Sequence, residues 1–522
     1  MQLAIESDSR LSSGVRDPGR LKAGLSRVAG LVRRHWVLSA LLVLGLALRV
    51  VTMIAYQPAI LYIDSVASYL LPLPKLSVTG QDPIGYDILL LKPLLAVGNL
   101  ATVAAFQHLL GLGIAITGYV LLLHKGAWRW VAALAVAPVL LDAYQLQIEH
   151  MIMSDPLFEA LLMAALTVLV WPRRPDWRHA LIAGLLLGIS VPVRQAGEPL
   201  FIPAVLYVLL AGIVVVCFAL PVAGYATLYH HSTGKFGLSR IGGDTLYGRV
   251  ATFADCTGLS LPADERILCP TMPPDERPGA DYWAHDPRSL FFVMEKQVGT
   301  NAEANRLADD FSKRIIKHQP LDFAKAVGAD AVKVFQWNRL HQDPADPPVD
   351  RWQFQVGMPL FLPLVSNSEI SMLDHKYGDG NPVTVTPLTK FLRAYQLHGG
   401  STPGPVVALA ILLALAPLVR WRRSGPARLP ALLFLLSGAA VLLFGDVVLF
   451  SWRYQLPGYV LIPVAGVLGL TAAFGRGTSA VSSNPGSSSR DSSGPGSSGP
   501  GSSGPDEQAP ADGAATPAVD RE

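Results

Sequence analysis

Nine ionisable residues stand inside or against long apolar runs: Arg49, Asp64, Asp142, Glu149, Asp155, Arg194, Glu198, Asp446 and Arg453. Charge in such positions is costly and by default marks function. An arginine at a membrane edge suits a phosphate, through bidentate, charge-assisted hydrogen bonds. A carboxylate beside it can take a proton from an incoming hydroxyl as general base. A lipid phosphate carrying a sugar would place its reacting carbon at this depth. The same residues have plainer uses. Arg49 can snorkel or pair with an acid, Asp142 and Asp446 can cap or pair within a bundle, and His150 beside Glu149 reads as a hydrogen-bonded interface residue rather than a metal ligand.

The elements that must position these residues follow from composition. The chain has 522 residues, 51% hydrophobic and 16% charged, whereas soluble domains carry about a quarter charged residues. A helix needs roughly 20 apolar residues to cross the hydrocarbon, and runs near 36–55, 101–123, 129–148, 156–171, 180–193, 199–229, 404–422, 428–450 and 456–474 qualify or come close. The class is an all-α polytopic membrane protein. A net charge of +3 is too small to imply nucleic acid.

Basic loops assign the sides. HKGAWRW (124–130), WPRRPDWRH (171–179) and RWRRSGPAR (420–428) should be cytoplasmic, as should the arginine-rich residues 1–35, which read as the flank of an anchor and not as a signal peptide. QIEHMIMSD (147–155) and FSWRYQLPG (450–458) should lie on the other side. As one helix, 199–229 would be about 46 Å long, too long for a ~30 Å core. Two short spans turning near Ala211-Gly212 restore the basic loops to the cytoplasm and give about ten spans. The first outer loop is then 56–100, with DILLLKPLLAVGNL (87–100) lying in the interface. A mixed soluble region, 230–403, also faces outward, with helices expected at 301–317 and 321–338. On this topology the nine charged residues share the outer half of the membrane, which suggests one polar cavity opening outward. Cys256 and Cys269 form a plausible disulfide if their region faces an oxidising compartment; Cys217 reads as a packing residue. Beyond Phe474, repeats of SSGPG and an acidic end predict a disordered tail, 475–522.

Several stretches resemble the GT-C glycosyltransferases, in the branch of protein O-mannosyltransferases and aminoarabinose transferases that use polyprenyl-phosphate sugars. They come in the family's order: LALRVV (46–51), YIDSVASY (62–69), PIGYDILLLKPLLAV (83–97), LQIEHMIMSDPLFEALLMAAL (146–166), GLLLGISVPVRQAG (184–197) and SWRYQLPGYVLIPVAGVLGL (451–470). The resemblance covers roughly 36–229 and 404–474. It implies Asp64 as catalytic base and Asp155 as a supporting acid. Arg194, with Arg49 and Arg453, would contact the lipid phosphate, and Tyr86, Glu149, His150 and Tyr454 would line the substrate site. Asp155 would either position the acceptor or join Asp64 around a divalent cation, magnesium or manganese. The implied partners are a polyprenyl-phosphate-linked sugar and a glycan, lipid or protein acceptor outside the cytoplasm, in a cell envelope built on a bacterial plasma membrane. Here Asp64 is followed by Ser65 where the mannosyltransferases pair two acids, and 230–403 does not follow their accessory domain, so the acceptor is left open. Two other classes use buried charge in a membrane bundle: a transporter or flippase of lipid-linked sugars, and a non-catalytic envelope-assembly protein. A transporter would often show internal repeats, and none is evident.

Overall fold

A segment in hydrocarbon must satisfy its backbone groups internally, so the apolar runs become helices. The computed structural model describes Ser26 and residues 29–474, apart from 77, 79–81, 209–210, 240–241, 341–348, 360, 362–365 and 420–423. Most of the basic N-terminus and the whole Gly/Ser/Pro tail lie outside the described residues.

Among the described residues the helices, in chain order, are α1 (Trp36–Ala55), α2 (Lys92–Leu95), α3 (Leu100–His124), α4 (Arg129–Ala135), α5 (Ala137–Leu141), α6 (Ala143–His150), α7 (Asp155–Val170), α8 (Trp177–Val193), α9 (Phe201–Tyr207) and α10 (Ala211–Thr233). Then follow α11 (Gly243–Ala251), α12 (Ala280–His285), α13 (Leu290–Val298), α14 (Asn301–His318), α15 (Pro320–Ala331), α16 (Asn367–Tyr377), α17 (Thr386–Leu397), α18 (Gly404–Val419), α19 (Arg428–Val448) and α20 (Trp452–Phe474). Five segments are long and apolar enough to cross a membrane by length and composition: α1, α3, α10 from Gly212, α19 and α20; α8 and α18 are shorter apolar helices. Among the described residues strand is confined to Tyr56–Gln57 (β1) and Val383–Thr384 (β2), paired antiparallel. The chain is an all-α polytopic membrane protein.

One apolar run is not the single helix that periodicity predicts, and another, 199–229, divides near Ala211 as its length requires. The 129–148 run breaks into α4, α5 and α6. Pro138 sits in the first turn of α5, where its missing N–H costs nothing, and Asp142 caps α6 by accepting from the Tyr144 amide at 3.0 Å. The 199–229 run divides into a short 3₁₀ stretch and α9, then the span-length α10. A side chain at Gly184 would strike Val214 and Cys217, and one at Gly188 would strike Phe218. Numbers ascend together on both helices, so α8 and α10 run parallel, and the chain between them must return. The return is six 3₁₀ residues and seven α residues, roughly 22 Å by helical rise.

The first loop is folded onto the bundle. Ile60 and Met151 form an isolated parallel bridge, with Ile60 N donating to His150 O and Ile152 N to Ile60 O, each at 3.3 Å. Two π-helical turns follow, Ser65–Leu70 and Asp87–Leu91; such wide turns are rare and frequent at functional sites. Within the second, Ile88 and Leu89 are exposed while Leu90 and Leu91 are buried, as an interfacial stretch requires.

The 243–397 region is helical with connecting coil. It has a small core of its own around Tyr247, Phe291 and Phe311, flanked by Cys256 and Cys269, which are joined by a disulfide. It packs Val334, Phe354 and Leu392 into the bundle's core and adds specific polar contacts. Arg339 reaches Asp142 at 3.1 and 3.0 Å, and Tyr459 Oη donates to Val334 O at 3.0 Å. Arg249 bonds Asp330 and the Asp446 carbonyl.

Candidate active site

Asp64 enters the first π-helical turn from the loop that the Ile60–Met151 bridge holds against the start of α7. Ser65 Oγ takes the Tyr62 amide and donates to Ile152 O, both at 2.9 Å, and Tyr69 Oη meets Ser154 Oγ at 3.1 Å. These bonds bring Asp64 beside Asp155, the first residue of α7. Arg453, in the first turn of α20, lies between them. Its Nη1 is 2.6 Å from Asp64 Oδ2, while Nε and Nη2 meet the Asp155 carboxylate at 2.9–3.1 Å. Arg194, at the end of α8, adds a second cation, with Nη1 2.7 Å from Asp155 Oδ2. Tyr454 underlies both guanidinium groups, 5.2 Å from Arg194 and 5.7 Å from Arg453, within cation–π range.

Exposure separates the two acids. The Asp155 side chain is 2% exposed and that of Asp64 is 27%. Asp155 is a buried anchor for two arginines, and its removal would leave them unpaired. Asp64 alone of the pair opens to an incoming group. A guanidinium fills the space between the carboxylates, so Asp64 and Asp155 do not fit a divalent cation held jointly. Among the described residues no group of three or more His, Cys, Asp or Glu is placed to hold a metal ion.

Asp82 completes the cluster, and the sequence reading passed over it. It hydrogen-bonds Ser68 and lies within electrostatic reach of Asp64, Arg453 and Arg194; burial and the charge of Asp64 push its carboxyl up to about 6. The available signal was a Gln-Asp-Pro directly ahead of the quoted PIGYD stretch. Asp87, five residues on, is buried, and burial with the nearby Asp82 raises it to about 8. Trp352 and Phe361 supply a further wall that local sequence did not announce. The Trp352 ring lies 4.9 Å from Tyr62 and 5.9 Å from Arg453, and Phe361 is 4.8 Å from Tyr62.

The expectation of one shared outer cavity is corrected, because the nine charged residues separate into distinct buried groups. Arg49 bonds three backbone carbonyls, Gly45, Leu140 and Val139, and the Glu149 carboxylate at 2.8 Å. It is thus a helix-bundle strut and no free cation for a phosphate. Glu149 also meets His108, which meets His150, whose Nε2 donates to Tyr56 O at 2.7 Å. Glu149 and His150 therefore belong to that strut. Tyr86 donates to Gln107 at 2.6 Å and packs on Tyr69, one ring removed from the site. Asp142 pairs with Arg339, which is enclosed by Tyr144, Tyr459 and Trp452. Asp446 accepts from Gln455 at 2.9 Å. Glu198 stands in the 3₁₀ stretch, half-buried. Of the predicted site residues, Asp64, Asp155, Arg194, Arg453 and Tyr454 come together.

The site is thus a cluster of two arginines, a buried acid and a partly exposed carboxylate at the helix ends of an apolar bundle. Residues 81–220 match the family model described as dolichyl-phosphate-mannose-protein mannosyltransferase, a GT-C family. The match takes in about a quarter of the chain; members of that family are membrane glycosyltransferases of the GT-C type, and their donor class is a polyprenyl-phosphate sugar. The matched stretch contains Asp82, Asp155 and Arg194, while Asp64 precedes it and Arg453 follows it. No curated protein and no solved structure matches the chain significantly.

Proposed function

We propose that the protein transfers a sugar from a polyprenyl-phosphate donor to a hydroxyl acceptor on the extracytoplasmic face of a bacterial plasma membrane, with Asp64 as general base. The observation that carries this reading is the Asp64–Arg453–Asp155–Arg194 cluster, in which only Asp64 combines partial exposure with a direct guanidinium contact. The donor phosphate docks against Arg194 and Arg453. Its oxygens compete with Asp64 for Arg453 Nη1, so donor binding loosens the ion pair that holds the base. Asp64 then takes the proton of the acceptor hydroxyl, whose oxygen attacks the anomeric carbon from the face opposite the phosphate. The carbon–oxygen bond to phosphate breaks with inversion. Polyprenyl phosphate leaves with its new charge on the two arginines, which act as preorganised stabilisers of that charge. A phosphate leaving group needs little acid assistance, and no step is routed through a metal. Sidedness rests on the basic loops and on the disulfide in the 243–397 region.

Purified protein reconstituted with a polyprenyl-phosphate sugar and acceptor-containing envelope extract should consume the donor without nucleotide or ion gradient. Asp64→Asn should lose at least 10²-fold in turnover, the lower range for a general base, while eluting as folded protein. Undiminished turnover by that variant would remove Asp64 from the mechanism. Donor movement across the bilayer without cleavage would favour a flippase.

A further inference from the structure

Helix α15 and the 3₁₀ turn after it, Val332–Phe335, are built inside out for a water-facing element. Positions 321, 325, 328, 332 and 335 share one face at helical spacing, and they are Leu, Lys, Gly, Val and Phe. Leu321 is 73% exposed, Val332 60% and Trp337, just beyond, 72%. The charge lies on the opposite side, where Asp330 is buried against Arg249 and takes Lys333 Nζ at 2.8 Å. Lys325, the one cation on the outer face, pairs with Asp322 at 3.0 Å, and its stem can lie along apolar surface while its head stays wet.

The preceding helix is the control. In α14, Leu307, Phe311 and Ile315 face inward, and Glu303, Arg306, Asp309, Asp310 and Lys313 form ion pairs on the outside. The same small region thus turns a charged face outward on α14 and an apolar face outward on α15. The change of solvent falls at the His318–Pro320 connection.

The chain itself fixes the depth of the apolar face. Gly404 N, at the start of α18, donates to Gln336 O at 2.9 Å. Within one turn of that bond α18 presents Val406, then Leu409 and Leu412, all exposed. The exposed apolar side chains of α18 therefore begin next to the segment that carries Phe335 and Trp337. Tryptophan at such a level belongs to the aromatic belt of membrane interfaces.

We propose that residues 320–337 lie in the outer-leaflet interface, with Leu321, Val332, Phe335 and Trp337 set among the acyl chains. The occupant of this face is bilayer lipid. Its consequence is mechanical: Asp330 on the buried side grips Arg249, and Arg249 reaches the Asp446 carbonyl, so membrane contact holds the 243–397 region down on the bundle.

The test is site-directed spin labelling of full-length protein in phosphatidylcholine–phosphatidylglycerol nanodiscs. Cysteines replace Leu321, Val332 and Trp337 in turn, with Lys313→Cys as the aqueous reference and unsubstituted protein giving the background from buried Cys217. Labels at the three sites should collide several-fold more with oxygen than with a water-soluble nickel chelate, and the label at 313 should show the reverse. Nickel accessibility at 321, 332 and 337 equal to that at 313 would overturn the proposal, as would protection that appears only in native membranes, which would assign the face to a protein partner. A second measurement needs no added cysteine. Brominated lipid should quench a component of native fluorescence that Trp337→Phe removes; a quenched fraction unchanged by that substitution would also overturn it.

Discussion

Replacing Asp82 with Asn isolates one carboxyl in the cluster without removing its shape or its link to Ser68. Burial and the charge of Asp64 raise the Asp82 carboxyl from 3.8 to about 6. At about 1.4 kcal/mol per pH unit, that displacement corresponds to roughly 3 kcal/mol. The figure is an upper bound, because Asp82 as a residue is only partly buried. The sign follows from proton binding. Between pH 4 and 6 the folded protein holds a proton here that the unfolded chain has released, so stability falls as pH rises through this window. Below pH 4 both states are protonated and the site contributes nothing; above 6 the full penalty is present. Asp82→Asn lacks the penalty. Its unfolding midpoint in detergent should match the parent near pH 4 and exceed it by a few degrees at pH 7.5, with the divergence between pH 4 and 6. The same substitution removes a negative charge facing Arg194 and Arg453, so it should tighten binding of polyprenyl phosphate at pH 7.5 and leave it unchanged at pH 4.5. A stability difference that is constant from pH 4 to 8, or absent throughout, would refute the placement of Asp82 against Asp64.

Three further outcomes follow from the described contacts. Arg194→Gln should raise the donor KM and also lower kcat, because Arg194 both docks the phosphate and stabilises its leaving charge; single-turnover kinetics at saturating donor separate the two. Arg339→Met strands a buried Asp142 and should cost roughly 3–5 kcal/mol, whereas Arg339→Met with Asp142→Leu should recover much of that loss, read as unfolding midpoints or expression yield. Removing the Cys256–Cys269 bridge with a paired Ser substitution opens a loop of sequence separation 13 and should cost about 3 kcal/mol on the loop-closure estimate. That loss should be local to the 243–397 region, as proteolysis or hydrogen exchange would report.

The sequence by itself determined the membrane class and which charged residues were candidates. Charge placed in apolar runs is expensive wherever it stands, so Asp64, Asp155, Arg194 and Arg453 were legible as functional candidates, and their order along the chain carried the family resemblance. The start of the helix expected at 301 was legible too, since its capping side chain, Thr300, acts on its own neighbours. Partner choice was not legible. Nothing local to LALRVV says that Arg49 meets Glu149 one hundred residues on, and nothing local to NRL says that Arg339 closes on Asp142. Nor does an isolated Asp-Pro say that residue 82 folds back to face residue 64. Tertiary structure decided which cations were already satisfied and which carboxylate stayed partly open, because a buried charge takes the nearest partner that packing brings to it, and sequence spacing does not encode that distance.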